Sequence, residues 1–558
     1  MMRDKNNSLP DKSNNRFPAI SSNSLVARGL SDLGKPVAKT ARQYSDAKKL
    51  YENKQYVEAF EFAQELALAG DTDAMNLLGV ICRGGHGTEQ NYADAVVWFL
   101  TAANLGLAKS QRNIGLMYLR GKGVEQNDAE AVKWYRLAAE QGDVEAQCKL
   151  GVMYYKGQGV EQDDEEAVKW YCMAAEQGYV TAQTILGAMY ADGRCVEQDD
   201  EEAVKWFRLA AERGNATAQS ILGRMYAKGR GVGQDDEEAV KWYRLAAEQG
   251  YVDAQYKLGY VYRWDHHGAE HDYDEMVKWY RLAAAQGHVG AMLSLGLWFV
   301  YEQGRNERDY AEAIKWLQIA AEKGNARAQD CMGDMYAKGR GVEQDDVEAV
   351  KWYRLAAEQG YDRAQYALAL RYKNGLGVEK DDEEAERLLR EVADHGDEDI
   401  LCGIAQDYMP GWEEKGDIAE ALKWYLLAAE RGSYEAQFDL GQMYAEGKVV
   451  EQNFAEAMKW YHSVIDNKSD CSIYRFWAMV ALARMHKKGR GVKQSNAEAE
   501  KWYQMVVDEG KEETFFLLGD SGTQGGVEQD DEEAVKWYRL AAEQGNAEAQ
   551  TRLEQMLT

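Results

Sequence analysis

The sequence predicts an all-α solenoid, a tandem array of two-helix units of about 36 residues each. Three observations carry that reading. Glu130–Gly142 returns verbatim at Glu238–Gly250, Glu348–Gly360 and Glu533–Gly545. Tryptophans keep the period: Trp98, Trp134, Trp170, Trp206 and Trp242 stand 36 apart, Trp279 and Trp316 follow at 37, and Trp352 returns to 36. Leu388 fills the next slot, Trp424 and Trp460 restore it, and steps of 42 and 35 residues lead to Trp502 and Trp537. Within each unit the apolar residues recur at helical spacing. An array of this kind grows by adding units, so 558 residues need not divide into several globular domains.

Residues 1–43 hold eight basic and three acidic side chains among many Ser, Asn and Pro, which predicts a disordered basic tail on an acidic body. The tail is a solvated leader or a docking segment; Asp4 and Asp11 count against an organellar transit peptide. The array is expected over 44–558. Phe62 stands 36 residues before Trp98, and Gly70 stands 36 before Gly106, so Tyr51–Gly70 belongs to a worn first repeat, as a terminal cap should.

In each later unit the second helix is the clearer one. Ala167, Trp170, Tyr171, Ala174 and Ala175 form one apolar stripe, while Glu165, Glu166, Lys169 and Glu176 face water. Asp163 is placed to accept from the first-turn N–H groups, and Glu166 is placed to complete a capping box. The same pair recurs from Asn127/Glu130 to Asp530/Glu533. Gly178, Gly250 and Gly360 end these helices. The first helix of a unit runs through Ala146, Leu150, Met153 and Tyr154, with Gly151 where a neighbouring helix must come close. Gly157 and Gly159 then turn the chain toward the next second helix.

The pattern A-x-x-x-L-G-x-x-Y-x-x-G-x-G-V, a polar cap, then A-x-x-W-Y-x-x-A-A-x-x-G, resembles the Sel-like repeat family, a relative of the tetratricopeptide repeats. The resemblance covers residues 44–558 in about fourteen units. It implies a right-handed α/α superhelix whose members act as adaptors in assembly, signalling or secretion-related complexes, with first helices on the concave side.

Composition excludes several functions. A net charge of -28 argues against nucleic-acid binding, which needs clustered cations to displace counterions. It favours basic partner proteins. No run of about 18 apolar residues supports a membrane span, and the N-terminus lacks the apolar core of a secretory signal. Seven cysteines without a C-x-x-C pair suit reduced thiols in the cytoplasm.

Candidate chemistry is sparse, and no cofactor or metal is expected. His266, His267 and His271, beside Asp265 and Glu270, are the clustered histidines, but they lack a helical H-E-x-x-H order, and a solvated loop accounts for them better. Ser45–Lys48 matches the S-x-x-K of penicillin-recognising enzymes without the other motifs, so chance explains it. The G-x-G turns lack a phosphate-binding continuation and lead into acidic caps. The Asp-Asp-Glu-Glu runs lack calcium-loop spacing. The Trp-Tyr pairs belong to the core between repeats.

Function must then sit where the repeats disagree. The polar face of the first helices varies, and its candidate partner-binding residues are Arg112, Lys149, Arg224, Tyr256, Tyr260, Asp334, Tyr366 and Phe438. Neutral drift of solvated positions is the competing reading. Irregular loops at Arg263–His271, Trp298–Asn306, Asp407–Lys415, Asp466–Arg475 and Gly519–Gly526 are further candidates. The expectation is a non-enzymatic scaffold binding proteins, basic or helical in character, along the concave groove. The alternative is a regulatory subunit or enzyme with an activity or metal on one of those loops.

Overall fold

The computed structural model describes residues 43–263, 272–301, 309–409, 418–447, 449–466, 473–523 and 531–557. Among them are twenty-nine helices and no strand. They fall into two compact units, 1–291 and 292–558. In both, helices come in pairs, here called A and B. Within each unit an A helix typically packs on its own B, and a B on the A of the next repeat, as Val144–Lys156 does on Asp164–Glu176 and Asp164–Glu176 on Val180–Asp192.

The first unit opens with a short hairpin, Tyr44–Glu52 and Tyr56–Leu68, followed by pairs such as Val144–Lys156 with Asp164–Glu176 and Ala216–Lys228 with Asp236–Glu248. The second repeats the plan, for example Ala326–Lys338 with Asp346–Ala357 and Tyr434–Glu446 with Phe454–Asp466. Most helices are 13 residues long because the same caps recur. Asn127, Asp163, Asp199, Asp235, Asp345, Asp381, Asn453 and Ser495 each accept from the backbone N–H three residues on, at 2.9–3.2 Å.

The expected capping boxes do not follow. Glu166 turns instead to Lys169 Nζ at 2.6 Å and to Trp170 Nε1 at 3.1 Å. Glu130, Glu202, Glu238, Glu348, Glu456 and Glu498 likewise take the Lys three residues on. The carboxylate is taken by side chains one turn further on, as i,i+3 ion pairs on an exposed helix face.

The B-helix stripe forms the core. Tyr135, Tyr171, Tyr280, Tyr353 and Tyr538 are at most 2% exposed, deeper than the tryptophans beside them. Each tyrosine lies over the glycine of its own A helix. A Cβ on Gly151 would stand 2.9 Å from Tyr171 Cε1, too close without displacement. Gly159, at φ +70°, approaches another repeat's backbone: its Cβ would meet the Asp128 carbonyl carbon at 2.3 Å.

A buried glutamine ladder crosses the repeats. Gln111, Gln147, Gln183, Gln219, Gln255, Gln329 and Gln437 donate to the carbonyls of Ala103, Ala139, Ala175, Ala211, Ala247, Ala321 and Ala429 at 2.9–3.2 Å. The alanine carbonyls belong to the preceding repeat, and five of the glutamines also accept from the end of their own B helix: Gln141, Gln177, Gln249, Gln286 and Gln359 reach the oxygens of Gln111, Gln147, Gln219, Gln255 and Gln329 at 2.6–2.9 Å. Where Arg213 replaces that donor, it bonds the Gly178 carbonyl, and the Gln183 oxygen stays buried without a partner among the described residues.

Candidate functional site

The variable A-helix positions divide by environment. Lys149 and Arg224 are exposed, and Tyr260 is 45% exposed. Arg112, Tyr256 and Asp334 are half-buried. Tyr366 and Phe438 are a correction to the sequence reading: at 8% and 4% exposure they belong to the core and offer no solvated face.

The reason is that one of these positions is a joint between consecutive A helices. Asn76, Arg112, Tyr256, Asp330, Tyr366, Cys402 and Phe438 all follow the ladder position or its equivalent directly, and each faces the A helix of the next repeat. Asn76 Oδ1 accepts from Ser110 at 3.0 Å and from Asn113 at 2.9 Å. Arg112 pairs with Asp143 at 3.2 Å and with Glu145. Tyr256 stacks on His288, centroids 4.4 Å apart; burial there holds the His288 imidazole below its ordinary pKa, against the pull of Asp253. The Tyr366 hydroxyl donates to Asp407. Phe438 meets Trp477 at 5.7 Å and Tyr474 at 6.0 Å. The position varies because each pair of neighbours is matched by a different chemistry.

Two joints gather titratable groups. Arg363 pairs with both Asp330 and Asp334, and Tyr353 donates to Asp334 at 2.6 Å. Burial pushes the fully buried Asp330 carboxyl up to about 7, with Arg363 pulling against it. Asp334 goes the other way: burial raises it, but Arg363, Tyr353 and Lys338 together hold it below the ordinary value. At the second joint, Cys402 meets Glu435 and Asp439. Burial pushes the Cys402 thiol up to about 12, aided by both carboxylates, and raises Asp439 to about 6, aided by Glu435.

Thirteen segments from 72–107 to 516–546 match the model of the Sel1 repeat. The chain belongs to the Sel1 repeat family. Sel1 repeat proteins are generally protein-interaction scaffolds. Among solved structures, a protective antigen of uropathogenic Escherichia coli strains, described as displaying an SLR fold, is 29% identical; the match covers 88% of this chain and 99% of that one, with a TM-score of 0.58. A Sel1 repeat protein from Oxalobacter formigenes is 36% identical over 44% of this chain and 100% of its own, with a TM-score of 0.41. The curated proteins hold no match. The segments begin at or within an A helix, and the hairpin over 44–68 precedes the first of them.

Within this Sel1 array, cations and acids are unevenly distributed. A helices of the first unit expose Lys109, Arg120, Lys149, Lys156, Arg224, Lys228 and Lys257, whereas the acids crowd the first turns of the B helices, as at Asp164, Glu165, Asp200 and Glu201. The -28 total therefore does not describe the A-helix strip. Residues 264–271, 302–308, 410–417, 467–472 and 524–530 lie outside the described residues, and with them the His266–His271 cluster and the centres of the other candidate loops. No helix among the described residues is long and apolar enough to cross a membrane. Sequence reasoning missed Arg363, Glu435 and the Cys402 joint, whose partners lie about one repeat away; an aligned comparison of the position after the ladder glutamine was the available signal.

Proposed function

We propose that this Sel1 repeat protein is a non-enzymatic scaffold that holds a partner protein along its A-helix strip, the side taken as concave. The observation that supports this is the set of exposed cationic and aromatic side chains on three A helices of the first unit: Lys149, Arg224, Lys257 and the 45% exposed Tyr260. Aromatic and arginine side chains are the usual anchors of protein interfaces. Their charge fits a partner segment with acidic and apolar residues, which revises the basic partner inferred from net charge. Long-range attraction to such a segment would act mainly on the association rate. The unpaired thiols of Cys82, Cys148, Cys172, Cys195, Cys331 and Cys402 suit a reducing compartment, and the cytoplasm is the location proposed.

The test is affinity capture from the source cell with the native chain and with a triple variant, Lys149→Glu, Arg224→Glu and Tyr260→Ala. All three side chains reach solvent, so the helical content should stay unchanged by circular dichroism. The expected outcome is that a partner bound by the native chain is lost and that raised salt weakens its capture. Equal recovery by both proteins would move the binding surface elsewhere.

A further inference from the structure

We propose that Cys402, Glu435 and Asp439 bind one divalent cation, zinc by preference, at the joint between two consecutive repeats. Cys402 lies on the A helix Glu398–Tyr408, and Glu435 and Asp439 lie four residues apart on the next A helix, Tyr434–Glu446, so the two carboxylates share a face. The thiol sulfur and one oxygen of each carboxylate all stand within 4.8 Å of one another. A thiolate with two carboxylates is a donor set that zinc accepts, and three protein ligands leave a coordination position for solvent.

Two features separate this group from an ordinary patch of surface acid. The first is the comparison with the other joints of the same chain. Where carboxylates meet at this position, a guanidinium sits among them: Arg112 between Asp143 and Glu145, and Arg363 between Asp330 and Asp334. At the Cys402 joint the charged groups acting most strongly are Glu435, Asp439 and Asp399, all acidic. The place that a guanidinium fills elsewhere is ringed here by anionic ligands.

The second is the thiol and what surrounds it. Cys402 is 1% exposed, and its sulfur stands at the edge of the apolar core within 4.8 Å of an oxygen of each carboxylate. Ser433 donates to the sulfur, and Gln406 Nε2 lies 3.9 Å from it and 3.0 Å from Glu435 Oε1. Tyr425 donates to Asp439, and Tyr474 to Glu435. Every candidate ligand is thus oriented by a neutral donor, the role of the outer shell around a protein-bound metal. Binding displaces the thiol proton to solvent, forms the metal–sulfur bond and links two repeats.

The test uses the full chain after chelator treatment, with Co²⁺ as a spectroscopic probe and Zn²⁺ as competitor. The expected result is a single ion per chain, a thiolate-to-cobalt charge-transfer band in the near ultraviolet, and its loss on adding Zn²⁺. Cys402→Ala abolishes the band, whereas Cys148→Ala, at the equivalent position of another repeat, leaves it intact. Gln406→Ala keeps all three ligands and weakens binding about 10–100-fold. If Cys402→Ala disturbs the fold, Glu435→Gln reads the same loss of affinity with the thiol in place. A band that survives Cys402→Ala or disappears with Cys148→Ala overturns the assignment, as does native Zn²⁺ binding no tighter than that of Glu435→Gln.

Discussion

Arg363 serves two carboxylates at once, and they do not share it equally. Asp330 is completely buried, and its Oδ1 has no hydrogen-bond partner among the described residues, whereas Asp334 also receives the Tyr353 hydroxyl. The better-solvated acid keeps the charge. The folded-state value of Asp330, about 7, lies above its ordinary 3.8, so the folded chain holds a proton that the unfolded chain releases within that window. Stability contributed by this group is therefore present at low pH and falls as pH rises from about 4 to about 7. Asp334, held low, acts in the opposite sense and at more acidic pH. Asp330→Asn is expected to flatten the fall in melting temperature between about pH 5 and about pH 8. Arg363→Met leaves Asp330 without its cation and Asp334 with Lys338 alone, and is expected to cost about 3–5 kcal/mol at neutral pH. Chemical denaturation of the two variants at both pH values checks this; an unchanged slope in Asp330→Asn would remove the proton from that site.

At the scale of the helix pair, the glutamine ladder is the device that fixes how one repeat sits on the next. It breaks at Arg213, which leaves the Gln183 oxygen buried and unpartnered. A buried acceptor without a donor costs about 1–3 kcal/mol, more than one ordinary bond to a carbonyl near the surface returns. Arg213→Gln is therefore expected to raise stability by about 1 kcal/mol, read from the denaturation midpoint. A lower midpoint would show that the contact with Gly178 matters more. Much of the helix pair was legible in the sequence: the Ala-Trp-Tyr stripe, the Asp and Asn caps and Gly151 all act within one repeat, where spacing along the chain reports spacing in the fold. The ladder was not legible, because Gln147 reads as one more polar residue until its partner 30 positions away is known. The joints were misread for the same reason. Tyr366 and Phe438 vary among repeats as exposed residues do, but they vary because each is fitted to a different neighbour, and a single repeat does not show its neighbour.

Over the repeats of one unit, the extensive contacts of a helix pair among the described residues are with the pairs beside it, so stability is a sum of repeat terms and interface terms rather than a property of one core. The hairpin over 44–68 and the repeat at 144–176 belong to the same compact unit but are separated by two intervening pairs. Tyr171 is 2% exposed and fills the space above Gly151 at the centre of its repeat. Tyr171→Ala is expected to remove about 3–5 kcal/mol of packing there. In a globular domain that loss would lower protection everywhere. In this array it should remain local: amide exchange should quicken across 144–212, with the damaged repeat and its next neighbour opening together, while 44–68 keeps its protection. Hydrogen exchange read by mass spectrometry on native and variant chains separates the two outcomes. Uniform loss of protection across the first unit would mean that its repeats melt as one cooperative body, and that a joint such as Arg112–Asp143 acts on far more than the two repeats it links.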